Sequence, residues 1–140
     1  MARKGGIVLI IAVDFDGILC ENKFPDIGKP NYEVISLIRQ LIDKGHEVIL
    51  WTSRVDEELI AAIDWCGDRG LHFTCINENA PSNIAKWKEK YPNGTRKVYA
   101  DIYIDDHNIE YSEALNKTLA YVRLIQLLEK GVKQWKVEES

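Results

Sequence analysis

Two carboxylates one residue apart, Asp14 and Asp16, close an uncharged and mostly β-branched run from Ile7 to Val13, and Gly17 follows at once. On extended backbone, side chains at i and i+2 project to the same side, so the two would sit together where the run ends. Adjacent negative charges repel unless a cation or a shared proton relieves them. A hard divalent cation such as Mg²⁺, which takes oxygen ligands, meets that need. Two later apolar runs also end in polar chemistry. Glu47–Trp51 is followed by Thr52-Ser53-Arg54, and the run that Lys97 opens is followed by Asp105-Asp106. Hydroxyls, a guanidinium and an ammonium orient phosphoryl oxygens and offset their charge. With four carboxylates they outline a site for metal and phosphate. Each motif alone is also what a solvated turn looks like; their joint position after apolar runs is the specific observation.

The elements that must place these groups alternate between strand-like and helical patterns, which implies an α/β fold with a parallel sheet. Ile7–Val13 contains no polar alternation, as expected for a strand buried on both faces. A polar loop with Gly and Pro is expected from Glu21 to Pro30. Asn31 is the expected N-cap of a helix over Tyr32–Lys44, stopped by Gly45, with Val34, Ile35, Leu37, Ile38, Leu41 and Ile42 on one face. Glu47–Trp51 is the second strand, and a helix over Asp56–Arg69 closes at Gly70. Leu71–Ile76 is the third strand, Pro81 or Ser82 opens a short helix through Lys90, Lys97–Ile104 is the fourth strand, and Thr118–Lys130 is a last amphipathic helix before Gly131. In a parallel sheet all carboxyl ends meet along one edge, so Asp14, Asp16, Thr52, Ser53, Arg54, Asp105 and Asp106 converge there.

The chain has 140 residues, which fits a single domain over 1–140, and its balance of 46% hydrophobic and 29% charged residues is that of a globular protein rather than a disordered one. A net charge of -4 disfavours a nucleic-acid backbone as partner. Cys20, Cys66 and Cys75 show no metal or disulfide spacing and are expected as reduced, mostly buried thiols of a cytoplasmic protein. Arg3 and Lys4 before an apolar run imitate a secretory signal, but the run is short, lacks a small-x-small site and leads straight into Asp14. No stretch approaches transmembrane length. Trp51 and Trp65 fall in strand and helix patterns and are expected in the core. His46, His72 and His107 are scattered, with His107 alone beside a motif.

At this point the chain resembles the haloacid dehalogenase superfamily of phosphatases. That family's four motifs occur in order: Asp14-Phe15-Asp16-Gly17, Thr52-Ser53, a lysine, and Asp105-Asp106. The resemblance implies a three-layer α/β sandwich with a Rossmann-like parallel sheet in the order 3-2-1-4. It also implies a hydrolase of phosphomonoesters that uses Mg²⁺ and a phospho-aspartate intermediate. Asp14 would be the nucleophile and Asp16 the general acid/base; Asp14, the backbone carbonyl of Asp16 and Asp106 would hold Mg²⁺, with Asp105 behind them. Thr52, Ser53, Arg54 and a lysine would bind phosphate. Lys86 and Lys97 compete for that role, and Lys97 is favoured because Lys97–Asp106 is similar to the deoxyribonucleotidase branch, where a lysine precedes an Ala-Asp-x-x-Ile-Asp-Asp strand. One departure is Ile18, where the family commonly has threonine.

The intervals after Gly17 and after Thr52 are filled by expected helices and strands, so no cap domain is expected, and the site is closed at most by the Glu21–Pro30 loop or a neighbouring subunit. Nucleoside monophosphates or other small phosphorylated metabolites are the expected substrates, a homo-oligomer is compatible with the open site, and neither nucleic acid nor membrane is an expected partner. The rival is a non-enzymatic phospho-acceptor or phosphate-binding module resembling a response-regulator receiver, although in receivers the acidic pair comes early and the lone acceptor aspartate follows the third strand. A nucleotide-sugar site built on Asp14-x-Asp16 leaves Thr52, Lys97 and Asp105-Asp106 without a role.

Overall fold

A computed structural model describes residues 8–94, 97–105 and 123. In chain order the elements are β1 (Ile10–Val13), β2 (Cys20–Lys23), β3 (Asp26–Pro30), α1 (Tyr32–Asp43), β4 (Glu47–Leu50), α2 (Asp56–Asp68), β5 (Cys75–Ile76), α3 (Pro81–Trp87) and β6 (Ile102–Ile104). The fold is α/β, with a four-stranded parallel sheet ordered β5-β4-β1-β6 and a separate two-stranded antiparallel sheet of β2 and β3.

The sheet is buried on both faces, which is why β1 lacks polar alternation. Ile11, Val13, Val48, Leu50, Ile102 and Ile104 share a core with Val34, Ile38 and Leu41 of α1 and with Ala62 and Cys66 of α2. The other parity, Ile10, Ala12 and Ile49, packs against Ala80, Val98 and Ala100. The side chain of Asn31 caps α1 by accepting from the Val34 N–H at 3.4 Å, and its own N–H donates to the Leu19 carbonyl at 2.9 Å. This fastens the helix start to the chain leaving β1. α1 ends where Gly45 takes a φ of 91°, a left-handed conformation that costs glycine little.

Three expectations change. The Glu21–Pro30 segment is not a loop but the β2–β3 hairpin, with Lys23 opposite Asp26 and Phe24-Pro25 at its tip. Its strands carry Glu, Asn, Lys, Asp, Gly and Pro, so no apolar alternation announces them. Gly28 lies so close to the Glu21 carbonyl that a Cβ would collide with it. Counting this hairpin, the numbering of the parallel sheet becomes 5-4-1-6 instead of 3-2-1-4, while its four strands keep the expected neighbours. Finally, the third and fourth strands are short. Before β6, side chains replace ladder bonds: Asp101 Oδ2 accepts from the Ile10 N–H at 2.7 Å, and the Tyr103 hydroxyl accepts from Ala100 N–H at 3.0 Å and donates to the Val98 carbonyl at 2.7 Å. Before β5, Thr74 Oγ1 accepts from the Val48 N–H at 3.0 Å in the same way. The expected Thr118–Lys130 helix, Ile7, Asp106 and His107 lie outside the described residues. Among the described residues no helix is long and apolar enough to cross a membrane.

Candidate functional site

Register builds the site. Val13, at the end of the central strand, pairs with Leu50 on one side and Ile104 on the other. One residue further along each chain come Trp51, Asp14 and Asp105, side by side at the carboxyl edge. The Asp14 N–H donates to the Ile104 carbonyl at 2.9 Å and the Trp51 N–H to the Val13 carbonyl at 2.8 Å, so the row is held by backbone. Asp14 is half-buried, and its Oδ1 accepts from the Phe15 N–H at 2.8 Å. The chain then folds back sharply: Gly17, at φ 88°, donates to the Cys20 carbonyl at 2.8 Å. This turn brings Asp16 to the same side as Asp14, by reversal of the chain rather than by strand alternation.

A cavity of about 600 Å³ opens over this edge, and Asp14, Asp16, Thr52, Ser53 and Asp105 all line it. The sequence-derived set therefore converges, with exceptions. Asp105, expected behind the metal ligands, is itself on the cavity wall. Neither Lys97 nor Lys86 lines this cavity: Lys97 lines a different one, and Lys86 is exposed with its Nζ 5.5 Å from the Trp87 ring centre. Lys97 sits five residues before β6, so it lies toward the opposite end of that strand from Asp105.

Arg54 also departs from its expected role. Its side chain is fully buried and forms a two-pronged pair with Asp16, Nε to Oδ2 and Nη2 to Oδ1, both at 2.8 Å. Nη1 donates to the carbonyls of Pro25 at 3.1 Å and Glu58 at 3.4 Å, and Nη2 to that of Asp26 at 2.8 Å. A guanidinium has five N–H donors, and all five are committed within the protein. The rings of Phe15 and Phe24 lie against it, at 5.0 and 5.1 Å. The hydrogen bond with Asp16 raises the Arg54 pKa further above its ordinary value. Arg54 thus fixes Asp16 and ties the hairpin tip to it; it has no donor left for a phosphate.

Thr52 is held from both sides. Its N–H donates to Asn77 Oδ1 at 2.8 Å, while its Oγ1 accepts from the Arg54 N–H at 3.1 Å, which leaves the hydroxyl proton to be donated elsewhere. Asn77 occupies the left-handed region at φ 53°, a conformation asparagine tolerates better than most residues. Asn77 is a positioning residue the sequence reading missed; an asparagine directly after a strand was the available signal. Asn22, Phe24 and Trp51 were missed as lining residues. Trp51, expected in the core, is 37% exposed on the cavity wall, because it falls one residue past the end of β4 and beyond the helices that cover the sheet. Trp65 does pack against the core, edge-on to Phe15 at 5.4 Å.

Ile18 is fully buried, so the apolar residue at this departure from the family pattern fills core. His46 is buried, with Nδ1 accepting from the Leu9 N–H at 3.0 Å, and His72 is exposed on another depression. All three cysteines are free; Cys20 and Cys66 are buried and Cys75 half-buried. Burial, reinforced by the charge of Asp16, pushes the Cys20 thiol up to about 11, which removes it as a nucleophile beside the cavity. Among the described residues no three His, Cys, Asp or Glu side chains gather closely enough to hold a metal ion. The oxygens at the edge, from Asp14, Asp16 and Asp105, are nevertheless the hard donors Mg²⁺ prefers.

Fold and cavity together define an α/β protein whose parallel sheet presents carboxylates and hydroxyls at its carboxyl edge. No protein-family model and no curated protein matches the sequence. Among solved structures, a conserved protein coded by a locus from Bacteroides thetaiotaomicron is 32% identical, with a TM-score of 0.64 over 82% of this chain and 93% of that one. The chain belongs to the same family as that protein.

Proposed function

We propose that the chain is a capless phosphomonoester hydrolase of the haloacid dehalogenase type, working as one domain through Asp14. The observation that carries this reading is the convergence of Asp14, Asp16, Thr52, Ser53 and Asp105 on one cavity of about 600 Å³. Asp14, oriented by the Phe15 N–H, attacks phosphorus; the bond to the leaving oxygen breaks, and Asp16 gives that oxygen a proton. Water then attacks the phospho-aspartate, its proton passing to Asp16, and inorganic phosphate leaves. The Thr52 hydroxyl and Ser53 orient the phosphoryl oxygens. Arg54 keeps Asp16 in place and leaves it two of a carboxylate's four lone-pair directions for proton transfer. Mg²⁺ bound by Asp14, the Asp16 carbonyl and Asp105 or Asp106 would offset the repulsion between carboxylate and phosphate. Nucleoside monophosphates are the substrates we favour, since Trp51 and Phe24 give the cavity two exposed aromatic walls.

A phosphate-binding or phospho-acceptor module is the second reading. It is favoured by one observation: among the described residues no Lys or Arg lines the cavity, which leaves little protein cation to assist turnover. Assay of nucleoside monophosphates and sugar phosphates with Mg²⁺ and with EDTA separates the two. Catalytic release of phosphate that Asp14→Asn abolishes without loss of fold supports the hydrolase. One equivalent of acyl phosphate without turnover supports the module, and activity retained near wild type in Asp14→Asn excludes both.

A further inference from the structure

A second cavity, of about 450 Å³, shares no lining residue with the first. Trp87, Tyr91, Tyr99 and Tyr103 line it, together with Lys97 and Asn83. The rings come as two pairs spaced by four residues, one at the end of α3 and one running into β6, and Trp87 and Tyr91 lie 6.2 Å apart at a tilt of 52°. All four are between 37% and 47% exposed. A single exposed ring is ordinary, but four around one concavity form an apolar surface of the kind that marks binding sites.

The hydroxyls there are already used. Tyr103 bridges Val98 and Ala100, and Tyr99 donates to Asp101 Oδ1 at 2.6 Å. These bonds hold the two rings in position and leave their faces and edges as the groups on offer. Asn83 is buried, with its amide donating to Asn79 Oδ1 at 3.2 Å, and an amide retains further donor and acceptor capacity. Ammonium groups outnumber carboxylates around the rings, where the Asp101 carboxylate is already bonded to the Tyr99 hydroxyl. Lys86 and Lys90 stand 5.5 and 5.4 Å from the Trp87 and Tyr91 ring centres, and Lys97 is on the wall. This concentration of ammonium groups occurs on a chain of net charge -4.

We propose that this cavity binds a small planar aromatic anion, for which a nucleoside monophosphate is the model in size and chemistry. Rings alone would also suit a cation, but Lys97 is on the wall, Lys86 and Lys90 stand beside two of the rings, and among the described residues no carboxylate lines the cavity. Its volume is that of a small-molecule site. An extended nucleic-acid strand fits neither a discrete cavity nor the overall negative charge. The proposal does not depend on the chemistry of the carboxylate cavity.

Nitrogen-edited NMR of the full chain in EDTA tests it, because the indole N–H groups of Trp87 and Trp51 report the two cavities separately. On addition of adenosine 5′-monophosphate the Trp87 signal should move saturably. Lys97→Ala should weaken that response about 5- to 10-fold, as expected for losing one charge-assisted contact, while the response to uncharged adenosine stays the same. Trp87→Leu, at an exposed helix end, should lose the response recorded at the backbone amides of Asn83 and Tyr99. A Trp87 signal that does not move overturns the proposal, as does an equal response to inorganic phosphate. Movement of Trp51 alone overturns this second site and leaves the carboxylate cavity as the nucleotide site.

Discussion

Replacing Arg54 by methionine should be among the most destabilising single changes in the chain. The substitution keeps an unbranched but shorter apolar side chain and removes every polar contact the guanidinium makes, as well as its packing against the rings of Phe15 and Phe24. Asp16, only 14% exposed, then keeps its carboxylate without a counter-charge, and the carbonyls of Pro25, Asp26 and Glu58 each lose a donor. Breaking one partner of a buried ion pair costs about 3–5 kcal/mol, and the carbonyls, near the surface, recover part of their loss from water. We expect a loss of about 4 kcal/mol in urea unfolding monitored by circular dichroism, with an unchanged denaturant slope. Arg54→Lys keeps the charge but not the planar fork, so it should recover less than half. Asp16→Asn combined with Arg54→Met should cost less than the two separate losses added together by more than about 1 kcal/mol, because each alone orphans the other. A loss under about 1 kcal/mol for Arg54→Met is what a solvated surface pair gives and would refute the reasoning.

Two further outcomes follow from the same geometry. The Cys66 thiol is pushed from 9.0 to about 12, chiefly by burial, so the unfolded chain releases this proton at lower pH than the folded one. Stability should therefore be unaffected below pH 9 and fall between pH 9 and about 12; Cys66→Ala should make that fall shallower by up to about 1.4 kcal/mol per pH unit, and an unchanged slope counts against burial of the thiol. Asn77→Gly and Asn77→Ala both remove the acceptor of the Thr52 N–H, but only alanine must also hold φ near 53°. Alanine should cost about 1 kcal/mol more than glycine in thermal or urea unfolding, and equal costs would show that the left-handed backbone carries no strain there.

What the sequence disclosed is what buried periodicity discloses. β1 and the Asp14 edge were legible because a strand buried on both faces leaves an unbroken apolar run, and the first carboxylate after it marks where burial ends. α1 was legible from Asn31 and Gly45, and its observed bounds, Tyr32–Asp43, differ from expectation by one residue. The hairpin was not legible, since only Cys20 and Ile27 of its strands pack on the core and much of its anchoring comes from Arg54 bonding its tip carbonyls. Arg54 was expected to face a phosphate, and its side chain instead pairs with Asp16. Adjacency to Thr52-Ser53 cannot tell whether a guanidinium turns outward to a ligand or inward to Asp16, because that depends on a hairpin that the local pattern did not reveal. Lys97 lies on another cavity for a related reason: a lysine before a strand that ends in Asp-Asp is near the carboxylates in sequence, yet a strand places its two ends at opposite edges of the sheet.

These two displacements change the electrostatics a ligand meets. With Arg54 turned inward and Lys97 lining another cavity, the carboxyl edge presents Asp14, Asp16 and Asp105, and among the described residues the guanidinium in contact with them has its donors spent. A phosphate dianion approaching that edge is repelled unless positive charge arrives with it. In water the repulsion between two unit charges at 4 Å is only about 1 kcal/mol, but at the effective dielectric of a protein surface it rises to about 4 kcal/mol. A cation held by the same carboxylates reverses the sign of this term. Under the hydrolase reading, then, phosphate binding should require Mg²⁺ outright, and not merely be strengthened by it. Calorimetric titration with inorganic phosphate decides the point: binding in Mg²⁺ and none in EDTA is the expected result. Equal binding in EDTA would place an uncounted protein cation at the edge.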